Sequence, residues 1–159
     1  MKIAIISDSH DNAANLKKAY SIIKEEKIKT IIHCGDIASI EVLKEVFGKL
    51  KGKIYASLGN MDKDRDFPIE KDSKLPQLKV FSEYGTIKDI AFTHFPEIAK
   101  NLSKTNKYKI VFYGHTHKPW EEHIGKARMV NPGNIAGIMY RATFAIYDTE
   151  TEKLRLKIL

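Results

Sequence analysis

The sequence predicts a layered α/β fold, and three observations carry that prediction. Short, continuous apolar runs alternate with stretches of helical period from the N-terminus to Leu58. Beyond that point further strand candidates replace most of the helices. Acidic and imidazole side chains stand directly after the apolar runs rather than inside them, where α/β sheets form their ligand crevices.

Residues 3–6 are an unbroken apolar run, which suits a strand buried on both faces. A helix is expected over about residues 12–26, because Leu16, Ala19, Tyr20, Ile22 and Ile23 recur at helical spacing. Residues 30–34 make a second buried strand. Ser39 is placed as N-cap of a helix over about residues 40–50, followed by a third strand over 54–58. This order predicts parallel pairing through right-handed crossovers. Charges, Pro68 and Pro76 mark residues 62–76 as an exposed loop. Strands over 78–81 and 86–88 are expected to flank a Tyr84–Gly85 turn, with a strand at 90–94 and a short helix from Pro96 to about residue 102. Residues 109–113, 128–131, 143–148 and 153–158 are the remaining strand candidates. The expectation is one domain over residues 1–159.

Composition narrows the functional classes. At 43% hydrophobic and 30% charged residues the chain is of soluble globular type, and no apolar run is long enough to cross a bilayer. The N-terminus does not read as a signal peptide, because Ser7, Asp8 and His10 interrupt the apolar run. The single cysteine, Cys34, excludes an internal disulfide framework and suits a reducing compartment, so the cytoplasm is the expected location. The net charge of +7 comes from lysines spread along the chain and interleaved with acids. It reads as solvated faces ahead of a nucleic-acid surface, so nucleic acid is not the favoured partner.

The chemistry concentrates in five segments. Asp8-Ser9-His10 follows the first strand, and residues two apart in extended chain can grip one ion; an Asp capping the next helix is the plainer reading of that segment alone. Gly35-Asp36 follows the second strand and offers a carboxylate with two oxygens, able to bridge two cations, or simply a Gly-Asp turn. Gly59-Asn60 follows the third with a neutral amide oxygen, or an ordinary turn. His94 ends a later strand. Gly114-His115-Thr116-His117 is the strongest single segment, because two imidazoles at alternate positions form an unusual chelating pair. Each signal is modest alone; their shared place after strands raises their weight.

Together these segments resemble the calcineurin-like metallophosphoesterase superfamily. The short chain and Gly59-Asn60-Met61-Asp62 are most similar to its compact bacterial and archaeal phosphodiesterases of the YfcE type, and Asn131-Pro132-Gly133 resembles a segment that follows the motifs. The resemblance implies a four-layer α/β/β/α sandwich with a dinuclear site at the strand ends. It implies that Asp8, His10, Asp36 and His117 hold one ion and that Asp36, Asn60, His94 and His115 hold the other. Two divalent ions so placed can activate a bridging hydroxide to attack a small phosphodiester. Asp36, Asn60 and His94 are then the catalytic candidates. Mixed nitrogen and oxygen donors favour a transition metal over calcium, with Mn expected first and Ni, Fe, Co or Zn as alternatives.

Two positions depart from the family pattern. Many members carry a proton-donating histidine after the motif asparagine; Met61 stands here and favours diesters or good leaving groups. Phe95 replaces the usual glycine after the ligand histidine and is expected to narrow the pocket or alter substrate preference. Asp11, Asn12 and His33 are candidates for contact with substrate or with the ligands, against helix capping for Asn12 and a satisfied core position for His33. Trp120 and Pro119 either wall the cleft or pack beneath it, and His123 is expected at the surface. The competing functions are a non-catalytic protein-interaction module on the same fold and a metal-dependent nuclease. The sequence leaves the oligomeric state open.

Overall fold

Ile3, Ala4, Ile5 and Ile6 are all fully buried, and their alternating directions explain why the fold needs four layers. In the computed structural model, which describes residues 1–64, 67 and 75–159, they belong to β1 (Lys2–Ile6). Ala4 and Ile6 face a cluster with Leu16 and Ile23 of α1 (Ala13–Glu25) and Leu43 and Phe47 of α2 (Ile40–Phe47). Ile3 and Ile5 face the opposite way, into a cluster with Phe92, Phe112 and Tyr147 between two sheets. A strand with no polar face requires cover on both sides.

The first sheet takes β2 (Thr30–His33), β3 (Lys53–Ser57) and β4 (Leu78–Phe81) parallel to β1. On its other side β10 (Thr143–Asp148) runs antiparallel to β1 and carries β11 (Leu154–Ile158) at the edge. The second sheet has the order β5-β6-β7-β9-β8, with β6 (Ile90–Thr93), β7 (Ile110–Phe112) and β9 (Ala127–Asn131) parallel. Its antiparallel edges are β5 (Tyr84–Ile87) and β8 (Trp120–Ile124). Helix α4 (Pro96–Lys104) covers its outer face, where Ala99 packs with Ala91, Val111 and Met129. The four-layer α/β/β/α sandwich is therefore present.

The structure corrects several local expectations. Tyr84 and Gly85 do not form a turn; they begin β5, and the chain passes between sheets at Ser82–Glu83. Gly85 is needed because the Phe92 ring lies where a Cβ would stand. Helix α2 ends at Phe47 rather than near residue 50, and Ser39 makes no side-chain cap; its hydroxyl donates to Asp11 Oδ1 at 2.6 Å. The expected exposed loop over 62–76 lies partly outside the described residues. Of the rest, Asp62 is fully buried in a short helix α3 (Asn60–Asp64), and Phe67 and Leu75 are buried in the core cluster that also holds Leu43 and Phe47. Among the described residues no helix is long and apolar enough to cross a membrane.

One cluster of charges ties β1, β11 and the end of α1 together. Glu26 accepts from Lys2 at 2.6 Å and from Arg155 at 3.0 Å, with Lys157 at 3.5 Å. The Lys2 and then the Arg155 hydrogen bonds bring its carboxyl down to about 2 from 4.5. A depressed carboxyl stabilises the fold above the unfolded value and loses that contribution as pH falls through the folded one. Glu26→Gln should therefore lower Tm at pH 7 by about 2–4 °C, as expected for a surface network worth roughly 1 kcal/mol. The gap to wild type should close between pH 4.5 and about 2, read by thermal melts across that range.

Candidate metal centre

All five chemical segments emerge at the same end of the two sheets. Asp8 and His10 follow β1, Asp36 follows β2, Asn60 opens α3 after β3, His94 follows β6, and His115 and His117 follow β7. The crossovers place these ends side by side, so residues from Asp8 to His117 meet in one crevice.

The backbone there is unlike the extended chain expected for Asp8 and His10. Asp8, His10, Asp36, His115 and His117 all have left-handed φ values, between 43° and 70°. Such conformations cost energy in residues other than glycine and persist only where the surroundings enforce them. Here the loops enforce one another. Asp8 N donates to Gly35 O at 3.0 Å, His10 N to Asp36 O at 3.1 Å, and Asp11 N to Ile37 O at 3.2 Å. Ala136 N donates to Asp8 O at 3.1 Å and closes the other side. Gly59 is required at its position, since a Cβ there would collide with Asp36 Oδ1.

The donor atoms fall into two halves that share Asp36. In one half His117 Nε2 lies 3.3 Å from Asp8 Oδ1 and 3.4 Å from His10 Nε2, and His10 Nε2 is 3.8 Å from Asp36 Oδ2. In the other, His94 Nε2 lies 3.2 Å from Asn60 Oδ1, 3.2 Å from His115 Nδ1 and 3.6 Å from Asp36 Oδ1. Asp8, His10 and His117 each offer an atom within 4.8 Å of the others, as do Asp8, Asp36 and His94.

The donor set fits divalent cations. His94 Nδ1 donates to the Cys34 carbonyl at 2.8 Å, which leaves Nε2 as a lone pair facing Asn60 Oδ1, His115 Nδ1 and Asp36 Oδ1. Converging acceptors of this kind are stabilised by a positive ion between them. Burial penalises the Asp8 carboxylate, but hydrogen bonding from His117, the nearby His94 and the Ser7 hydroxyl outweigh it and hold Asp8 below the usual carboxylate range. The Asp8 hydrogen bond raises His117 in return. Asp36 is pushed up, by burial first, against the pull of His94 and with Asp8 and Asp62 adding repulsion. Two buried carboxylates among four imidazoles invite added positive charge.

The remaining candidates take distinct places. His33 is buried with Nε2 2.9 Å from Ser9 Oγ, and burial pushes it down to about 4, so it stands neutral behind the Asp8–His10 loop. Asn12 caps α1 by accepting from Asn15 N at 3.0 Å and donates to Ala136 O at 3.2 Å. Asp11 is held by Ser39. Cys34 is buried and its thiol is pushed well up by burial; its contribution to the site is the carbonyl that orients His94. His123 is exposed. Trp120 is half exposed and lines a groove with Tyr113, Thr116 and Tyr140 beside the His115–His117 loop.

Three supporting residues carried no functional signal in the sequence. Asn131 donates to Gly114 O at 2.9 Å and Thr116 Oγ1 at 3.0 Å, and Asn134 donates to His117 O at 3.0 Å, so together they fix the histidine loop. Asp62 accepts from Ile37 N, Ala38 N and Gly59 N at 2.7–2.9 Å. Asn131 and Asp62 stood only within the segments that carry the family resemblance, and Asn134 in neither.

Comparison with known proteins agrees with this architecture. The model of the calcineurin-like phosphoesterase superfamily domain matches residues 1–152. A phosphodiesterase of Methanocaldococcus jannaschii is 33% identical over all of this chain and 99% of its own length. The solved structure of an archaeal phosphodiesterase superposes with a TM-score of 0.87 at 32% identity, covering both chains completely. The phosphoesterase YfcE of E. coli shares the fold at 17% identity, with a TM-score of 0.69 over 99% of each chain. Fold, site geometry and matched length lead to one conclusion: the chain belongs to the calcineurin-like phosphoesterase superfamily.

Proposed function

We propose that the chain is a metal-dependent phosphodiesterase whose two-ion centre is shared between the two halves of the crevice. Asp8, His10, Asp36 and His117 would hold one ion; Asp36, Asn60, His94 and His115 would hold the other. The observation that carries this reading is Asp36, whose Oδ1 faces His94 and whose Oδ2 faces His10. A carboxylate so turned is suited to bridge two cations. When bound, such ions supply Lewis acidity and a water acidified enough to serve as the nucleophile.

The residues of the chain have separable roles. Asn60 offers Oδ1 toward His94 and keeps its amide hydrogens for a phosphoryl oxygen. His94 is fixed by the Cys34 carbonyl, so its free nitrogen is held in one direction. Met61 supports Asp36 through its backbone N–H at 2.9 Å but offers no side-chain proton to a leaving group. This favours diesters over monoesters as substrates. The mixed donors favour Mn first, with Ni, Fe, Co and Zn as alternatives, and a small soluble diester in the cytoplasm is the substrate class we infer.

The test is direct. Protein stripped of metal and reloaded with Mn or Ni is offered a chromogenic diester, the matched monoester and single-stranded DNA. Diester turnover well above monoester turnover, lost on chelation, is the expected result. Absence of turnover under every metal would replace this reading by an interaction module. DNA cleavage falling steeply with salt would replace it by a nuclease.

A further inference from the structure

We propose that Lys63 is a substrate-binding residue that anchors the anionic phosphoryl group on the side of the crevice lined by Asn60, His94 and His115. The inference rests on the phosphodiesterase reading and adds a contact within the same site. Asn60 and Lys63 are three residues apart on α3, so they share a helix face. The Lys63 ammonium stands over the Phe95 ring, 5.3 Å from its centroid. That ring packs against both imidazoles of this half, with centroids 4.9 Å from His94 and 5.5 Å from His115. The ammonium is therefore one aromatic ring away from two candidate ligands.

Phe95 explains the placement. Partly buried beside His94, it walls the crevice and presents its electron-rich face to the lysine. A flexible four-carbon stem lets the ammonium leave the ring without moving α3. An exposed cation–π contact is weaker than a charge-assisted hydrogen bond, so an arriving phosphoryl oxygen displaces the ring as the partner. Met61, two positions before Lys63 on α3, is neutral and can make no charged contact. Lys63 thus supplies, by charge alone, a contact that the neighbouring side chain cannot make.

Inorganic phosphate binding to the Mn-loaded protein tests this without requiring turnover. Lys63→Met should weaken phosphate binding about tenfold, as expected for one charge-assisted contact, with metal content and Tm unchanged. Lys63→Arg should retain most of the affinity. Lys107→Met, the same charge change at an exposed position preceding β7 and so at the opposite end of the sheet, should leave it unchanged. KM for the chromogenic diester should rise in parallel with the phosphate constant, while kcat changes less. Equal phosphate affinity in wild type and Lys63→Met overturns the proposal. So does an equal loss in Lys107→Met, which would mean general steering, or a wild type that binds no phosphate. If wild type binds phosphate but turns over no diester, the phosphodiesterase reading fails while the phosphate series still judges Lys63.

Discussion

Asp36→Asn is expected to reduce metal-dependent diester turnover by roughly a thousandfold or more while the protein stays folded. The two oxygens of Asp36 face different halves of the crevice, and an amide has only one oxygen to offer. The variant can still accept the Met61 N–H bond at Oδ1. Burial and the nearby Asp8 and Asp62 make the Asp36 charge unfavourable without a cation, so neutralising it should leave Tm of the metal-free protein equal or higher. The wild type should gain stability on metal addition, by about 2.7 kcal/mol at a hundred times the dissociation constant, and the variant should lose most of that gain. Thermal melts with and without Mn, beside the turnover assay, separate a damaged fold from a damaged site. Full activity in Asp36→Asn would remove the bridging role.

That prediction was within reach of the sequence because the chemical residues follow strands. A buried strand announces itself by a continuous apolar run, and parallel pairing through crossovers brings successive strand ends together. β1, β2, β3, β6 and β7 all read in this way, so the α/β class and the convergence of Asp8 with His117 were legible, whereas the four-layer arrangement came only from the family resemblance. The edges were not. β8 has the sequence Trp-Glu-Glu-His-Ile and four of its five residues are exposed, so it carries no apolar alternation. A charged edge strand protects the sheet from pairing with another chain and hides it from a search for hydrophobic pattern. Helix α3, only five residues long, offers too little length for a helical period.

Backbone conformation was the other hidden layer. Two residues spaced as Asp8 and His10 suggest an extended chelating pair, yet both sit in left-handed turns held by bonds to Gly35 and Asp36. Those bonds come from a segment more than twenty residues away, and a local pattern cannot report them. The same holds for Asn131, read as the end of a strand, and for Asn134, both of which act on the histidine loop. Phe95 was visible as an unusual residue, but its packing on His94 and His115 and its contact with Lys63 appear only in three dimensions.

The Asp62 carboxylate carries the largest expected effect on stability, and an effect on metal affinity with it. A run of charges after Asn60 reads as solvent-exposed, but this side chain is fully buried. Its Oδ1 accepts from Ile37 N at 2.7 Å and Ala38 N at 2.9 Å, and its Oδ2 accepts from Gly59 N at 2.8 Å. One carboxylate thereby joins the loop carrying Asp36 to the loop carrying Asn60. Asp62→Ala leaves three buried N–H groups without that partner, at about 1–3 kcal/mol each before relaxation, so a loss of about 3–5 kcal/mol is expected. Asp62→Asn keeps an oxygen for Ile37 and Ala38 but turns an NH2 toward the Gly59 N–H, so it should cost less, about 2 kcal/mol. In both variants Asp36 and Asn60 lose their fixed separation, and Mn affinity should fall by roughly 10–100-fold, as when a partner that orients ligands is removed. Urea denaturation gives the stability term and calorimetric Mn titration gives the affinity. Because Asp62→Asn should remain folded, it isolates the positioning effect from unfolding. Wild-type Mn affinity in Asp62→Asn would show that the two loops hold their places without this carboxylate.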